Sequence, residues 1–126
     1  MKSTIILSFI GICLFGFTQQ MEAQNINNSV TIEAKVLGNC GMCKKTIEKA
    51  ANKKSEALVI WDKNKLVATI TYDSKKTNVN EVLKRIADAG YDNEKFKAPD
   101  DVYNKLHGCC QYDRVEVVNN TPEKNN

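Results

Sequence analysis

Residues 30–51 read VTIEAKVLGNCGMCKKTIEKAA, and the hydrophobic period changes in the middle of that stretch. Val30, Ile32, Ala34 and Val36 alternate with Thr31, Glu33 and Lys35, the period of two that belongs to a strand with one buried face. Gly38-Asn39 stops the strand. Ile47, Ala50 and Ala51 then fall at three- and four-residue spacing with lysines on the opposite face, which predicts a helix from about Cys43 to about Lys54. Cys40 and Cys43 therefore lie across a strand-to-helix junction, three residues apart.

Working outward, residues 57–61 (ALVIW) are rich in β-formers, and Leu66, Ala68, Ile70 and Tyr72 alternate with polar or small neighbours. Asp62-Lys63-Asn64-Lys65 between them reads as a hairpin turn. Asn78 can cap a second helix, with Glu81 three residues on as its capping-box partner. Val79, Val82, Leu83, Ile86 and Ala87 form its apolar stripe, and Gly90 stands where a left-handed cap belongs. Residues 91–97 read as a short last strand, with Trp61 and Phe96 assigned to the core. Pro99-Asp100-Asp101 opens a third, short helix carrying Val102, Tyr103 and Leu106 on one face, and Gly108 stands just past its end. The order strand, helix, strand, strand, helix, short strand predicts an α+β fold: a ferredoxin-like βαββαβ sandwich with a short C-terminal helical extension.

The ends of the chain differ from its middle. Lys2 followed by the nearly unbroken apolar residues 5–17 and a small residue at Ala23 reads as a signal peptide spanning residues 1–23. The apolar run is too short for a spanning helix of ~20 residues, so no permanent membrane anchor is expected. Residues 24–29 read as a flexible lead-in, 30–97 as the domain, 98–118 as a helical tail bearing a cysteine pair, and 119–126 as a disordered C-terminus. The net charge of +3 makes no case for nucleic acid. Of five cysteines, Cys13 leaves with the leader, and the remaining four form two close pairs, Cys40 with Cys43 and Cys109 with Cys110. In an exported protein such pairs suit either disulfides or a metal.

Placed near the first turn of a helix, Cys43 would have its thiolate stabilised by unpaired N–H groups, the positive end of the macrodipole and nearby Lys44 and Lys45. Gly41 allows both sulfurs to converge, and converging thiolates favour Cu(I), Zn(II) and heavier thiophilic ions. A thiol–disulfide oxidoreductase is the second reading of the same spacing. It is opposed by the hairpin that directly succeeds the first helix and by the lack of any proline between Cys43 and Ala98. There is no phosphate-binding glycine loop and no acid pair set in a pocket, so hydrolase and transferase readings have little support.

Taken together, the first strand, Gly38-Asn39-Cys40-Gly41-Met42-Cys43, the helix with Ile47 and Glu48, the hairpin ending Thr69-Ile70-Thr71-Tyr72-Asp73 and the closing Ala89-Gly90-Tyr91-Asp92 resemble the heavy-metal-associated domain. That family includes copper chaperones, amino-terminal modules of metal-transporting ATPases and periplasmic mercury-binding proteins. The resemblance implies that Cys40 and Cys43 are metal thiolates on an exposed loop and that Tyr91 lies beside the metal. Two features depart from it. Gly38 stands where the family motif has methionine, the nearby Met42 lying between the thiols, and the tail Leu106-His107-Gly108-Cys109-Cys110 is added.

The expected site is built on Cys40 and Cys43 and completed by Cys109, Cys110 and His107, with Tyr91 and Met42 around it. A disulfide-stapled tail is the competing arrangement. Two or three sulfurs would suit Cu(I), which is favoured, whereas four sulfurs, or three with the His107 imidazole, would match tetrahedral Zn(II); Hg(II) is the other candidate. The expected protein is a non-enzymatic, periplasmic or secreted metal binder serving transfer, buffering or detoxification. Its partner would be a metal transporter or another metal-accepting protein. Lys45, Lys49 and Lys53 share one helical face that is either solvated or docks an acidic surface.

Overall fold

The alternation that opens the domain forms a strand in the computed structural model, which describes residues 25–114. The order is β1 (Ser29–Lys35), α1 (Gly41–Ala51), β2 (Ala57–Asp62), β3 (Val67–Asp73), α2 (Val79–Asp88), α3 (Asp100–Asn104) and a 3-10 turn at Gly108–Cys110. The sheet runs β1-β3-β2, antiparallel throughout. The fold is α+β, as the sequence predicts. The expected leader at residues 1–23, the last residues of the expected helical tail at 115–118 and the tail end at 119–126 lie outside the described residues. Among the described residues no helix is long and apolar enough to cross a membrane.

The strands bury most of the face their period selects, but β1 does so only toward its end: Val30 is exposed and Ile32 partly buried. Ala34, Ala57, Val59, Trp61, Ala68 and Ile70 turn inward and meet Ile47, Val82, Leu83 and Ile86 from the two helices. The register places Ala68 between Ala34 and Trp61, so the residue directly opposite the indole is small. Polar bonds lock the layers together. Glu48 accepts from the Trp61 amide at 3.0 Å, and Arg85 joins α2 to Glu56 at 2.9 Å and to the Ala51 carbonyl at 3.0 Å.

Boundaries shift where side chains compete for backbone groups. Helix α1 starts two residues before Cys43, because Cys40 in extended conformation serves as its N-cap, and it ends at Ala51. Asn52 then turns its side chain to accept from the Val59 amide at 2.6 Å, and Ser55 takes a left-handed conformation. Asn78 caps α2 as expected, accepting from the Glu81 amide at 3.0 Å. Glu81 does not reach back to that cap residue; it accepts from the Thr77 hydroxyl at 2.8 Å.

The expected strand at residues 91–97 shrinks to one antiparallel bridge, Val36 with Asn93. Its backbone is diverted by its own side chains. Asn93 accepts from the amides of Lys95 and Phe96 at 3.1 and 3.0 Å, and Asp92 accepts from Ala98 at 2.7 Å, which curls the segment into turns. Phe96 is accordingly only partly buried, whereas Trp61 is in the core.

Two glycines set where the tail and the α1 loop sit. Gly90 adopts φ +108, and a Cβ there would lie 3.0 Å from Leu106, whose side chain seats the tail on the end of α2. Gly38 is required by space instead. A Cβ there would sit 2.8 and 2.9 Å from the buried indole of Trp61, which packs against the glycine. Gly38→Ala is expected to destabilise the reduced protein by about 1–3 kcal/mol through overpacking. In a double-mutant cycle read by urea unfolding, the cost should shrink when Trp61→Phe is also present.

Candidate metal centre

Helix α1 presents the first thiol pair at its opening turn. Cys40 occupies the N-cap and is half-buried, while Cys43, three residues on, is fully buried in the core cluster. The indole of Trp61 lies behind this loop and donates to the Val36 carbonyl at 3.0 Å. The backbone N–H groups of Cys43 and Met42 face the Cys40 sulfur. Against the opposing effect of burial they lower its pKa to about 7. The start of the helix thus favours the thiolate of Cys40. Cys43 Sγ accepts from the Asn39 amide at 3.4 Å. Lys44 is drawn away to Glu48 and the Trp61 carbonyl.

The tail returns to this loop. Cys40 Sγ lies 3.7 Å from Cys43, 3.8 Å from Cys109 and 3.9 Å from Cys110, and Cys109 is 3.9 Å from Cys110. The sulfurs of Cys40, Cys43 and Cys110 all lie within 4.8 Å of one another. All four cysteines among the described residues are free thiols. Cys40 is the hub, in contact with the other three. With metal–sulfur bonds of ~2.3 Å, tetrahedral sulfurs stand ~3.8 Å apart and trigonal ones ~4.0 Å. Those four separations fall near these values, Cys109 lies outside the group of mutually close sulfurs, and an all-sulfur donor set of this kind selects soft or borderline cations.

Exposure divides the cluster. Cys43 and Cys110 are buried, Cys40 is intermediate and Cys109 is exposed. Burial pushes the Cys110 thiol up to about 12, reinforced by neighbouring Cys43. Tyr91 is fully buried behind the sulfurs. Its hydroxyl faces Cys43, Thr46 and Cys110 yet meets no partner at hydrogen-bond geometry, and burial raises its pKa strongly. An unpaired phenol donor aimed at buried sulfurs fits a site whose sulfurs become anionic when a cation enters.

His107 and Met42 stand apart from the group. His107 is exposed and contributes its backbone, its carbonyl accepting from the Cys110 amide at 2.7 Å to open the 3-10 turn. It is not among the grouped donors. Met42 is 46% exposed on the first turn of α1, and its carbonyl accepts from the Thr46 hydroxyl.

The residues that hold the tail in place were not singled out from the sequence. Tyr112 is buried, stacked on Tyr91 at 5.9 Å and edge-on to Tyr103 at 5.1 Å. Its hydroxyl donates to the Gly90 carbonyl at 2.8 Å and accepts from the Asp92 amide at 2.7 Å. Arg114 forks onto Asp92, Nε to Oδ2 at 2.8 Å and Nη2 to Oδ1 at 2.7 Å, and lies 4.6 Å over the Tyr103 ring. Burial would raise the Asp92 carboxyl, but the Arg114 fork and the Ala98 amide outweigh it and hold it below its ordinary value. The stability this pair contributes is present above the ordinary carboxylate range and is lost as pH falls through the depressed folded value.

The element order β1-α1-β2-β3-α2, with its CxxC at the opening of α1, is that of the heavy-metal-associated resemblance. Among solved structures the chain is similar to a CopZ metallochaperone, 27% identical, the match covering 51% of this chain and 98% of that one with a TM-score of 0.48. It is also similar to a protein from Bacillus anthracis str. Ames proposed to bind copper ions, 25% identical, with 53% of this chain and 97% of that one covered and a TM-score of 0.49. No family model and no curated protein matches the chain.

The thiol pKa values yield a direct check. In reduced, metal-free protein, alkylation of Cys40 should rise to half its maximal rate near pH 7, while Cys110 stays unreactive through pH 9. Peptide mass spectrometry of quenched time points reads both sites. Equal pH profiles at the two would contradict the arrangement.

Proposed function

We propose that this protein is an exported binder of a thiophilic cation, Cu(I) first, that holds the ion on cysteine sulfur alone and releases it by ligand exchange. One observation carries the reading: cysteines 69 and 70 residues apart in sequence bring free thiols to within 3.8 and 3.9 Å of Cys40. Structural packing has no need of four converging thiols, and a soft cation does. The leader-like residues 1–23 support export.

Cys40, Cys43 and Cys110 form the binding core, and Cys109 lies at its exposed rim. Cu(I) is satisfied by two or three of these sulfurs, and Zn(II) or Hg(II) could use three or four. Binding displaces thiol protons, so apparent affinity increases with pH. Handover to a metal transporter or other metal-accepting protein proceeds stepwise, as each incoming thiol replaces an outgoing one. The role needs no catalysis by the protein.

The lowered pKa of Cys40 at a helix N-cap beside a second thiol also favours a second reading, thiol–disulfide exchange. The two readings separate cleanly. For the metal reading, the reduced protein should bind Cu(I) tightly in competition with a chromophoric chelator. Cys40→Ser should abolish that binding, Cys110→Ser should weaken it at least tenfold, and His107→Ala should leave it unchanged. Protein isolated from its own compartment should carry metal and regain four reactive thiols once the metal is removed. Four blocked thiols without metal, or turnover of a model disulfide, would support the alternative instead.

A further inference from the structure

Residues 92–114 leave the domain and come back to the residue they left. Asp92 accepts from the Ala98 amide at the start of this excursion and from Arg114 at its end. Arg114 also donates to the Ala98 carbonyl at 2.7 Å and to Asp100 at 2.7 Å, so one guanidinium closes the loop at its base. Cys109 and Cys110 lie just before that closure.

The local bonds around the cysteines are few and weak by comparison. The Asn39 side chain meets the Cys109 carbonyl at 3.5 Å, and Gln111 folds back onto the Asn104 and Leu106 carbonyls within the tail itself. None of these fixes the tail firmly to the α1 loop. Tyr112, bonded to the Gly90 carbonyl and the Asp92 amide, and the Arg114 fork do so from just beyond the cysteines, the fork with a planar geometry that lysine could not reproduce. The chain carries only two arginines, Arg85 and Arg114, against 16 lysines. Arg85 also bridges separate elements through a carboxylate and a carbonyl.

We propose that the Arg114–Asp92 pair is a clasp that closes residues 92–114 into a loop and so presents Cys109 and Cys110 to Cys40 and Cys43. Arg114 is then a positioning residue for the sulfur cluster, which is assembled before any cation arrives. The effect on coordination rests on the metal-binding reading; the effect on thiol exposure does not.

The test uses Arg114→Gln in the full chain, reduced and free of metal. Native-state alkylation of Cys110, read by peptide mass spectrometry, should speed up at least tenfold while Cys43 remains protected within the core. Loaded with Cu(I), the wild type should show three sulfur neighbours by X-ray absorption and the variant two, with affinity roughly 10–100-fold weaker, the range typical of lost outer supports. Wild-type protection of Cys110 together with an unchanged sulfur count would overturn the clasp. If the wild type binds no Cu(I), the metal reading fails and the alkylation result alone decides the clasp. Should Arg114→Gln lose the wild-type far-UV circular dichroism, Arg114→Lys decides in its place: it keeps the charge without the fork. Intermediate exposure of Cys110 in that variant supports the clasp, and wild-type protection overturns it.

Discussion

The arrangement of the sulfurs depends on one buried carboxylate and its peptide group. Asp92 is fully buried, and four parts of the chain meet on it. Its carbonyl accepts from the Leu37 amide at 2.9 Å, its own amide donates to Tyr112, and its carboxylate takes Ala98 and Arg114. Leu37 lies three residues before Cys40, while Tyr112 lies two residues after Cys110. The same residue therefore sets both the approach to the α1 loop and the return of the tail. A charge buried this deeply is tolerable only when its partners are in place, because removing one leaves the other without solvent or counter-charge. That all-or-none character is what lets a polar contact hold a long excursion of chain in one place.

The sulfur cluster shows the opposite electrostatic condition. Cys40 ionises near pH 7, whereas Cys110 keeps its proton to about 12, and the two sulfurs are 3.9 Å apart. Four thiolates at such separations would repel one another in a medium that screens poorly. The nearest lysine of α1, Lys44, is engaged with Glu48 and the Trp61 carbonyl rather than with sulfur. The protein thus brings the donors together but does not itself supply the positive charge that would let them all ionise. A bound cation would supply it, and proton release and binding would become one event.

Much of the domain was legible because its local signals agree. The two-residue period of β1, the turn at Asp62 and the cap of α2 each have a local cause, and each is found. Asp62 even accepts from the amides of Asn64 and Lys65 just after it, as such turns do. What was misread turns on side-chain bonds and contacts that no periodicity records. Tyr91 and Phe96 look like strand residues until Asp92 and Asn93 are seen to use the backbone amides around them. Cys40 takes the N-cap because the helix starts two residues earlier than expected, a shift that spacing alone does not resolve. Gly38 looked like a departure from the family motif, and its reason lies 23 residues away in Trp61. Arg114 had a signal that was available, a rare arginine in a lysine-rich chain, but its partner is 22 residues distant.

The same geometry determines how the cluster can be approached. Cys43 lies beneath the start of α1 among core side chains, and Cys110 lies beneath Tyr91 and Tyr112. Cys40 is partly open, and Cys109 is exposed beside it at 3.8 Å. In the proposed exchange an incoming thiol would meet the Cys109–Cys40 edge first and the two buried sulfurs last. Because Cys40 touches all three other sulfurs, a cation leaving its buried neighbours would stay within reach of Cys40 until the final exchange. Adding the tail thus increases the number of sulfurs without closing the cluster. It places the extra donors so that one deepens the site and the other remains at its mouth.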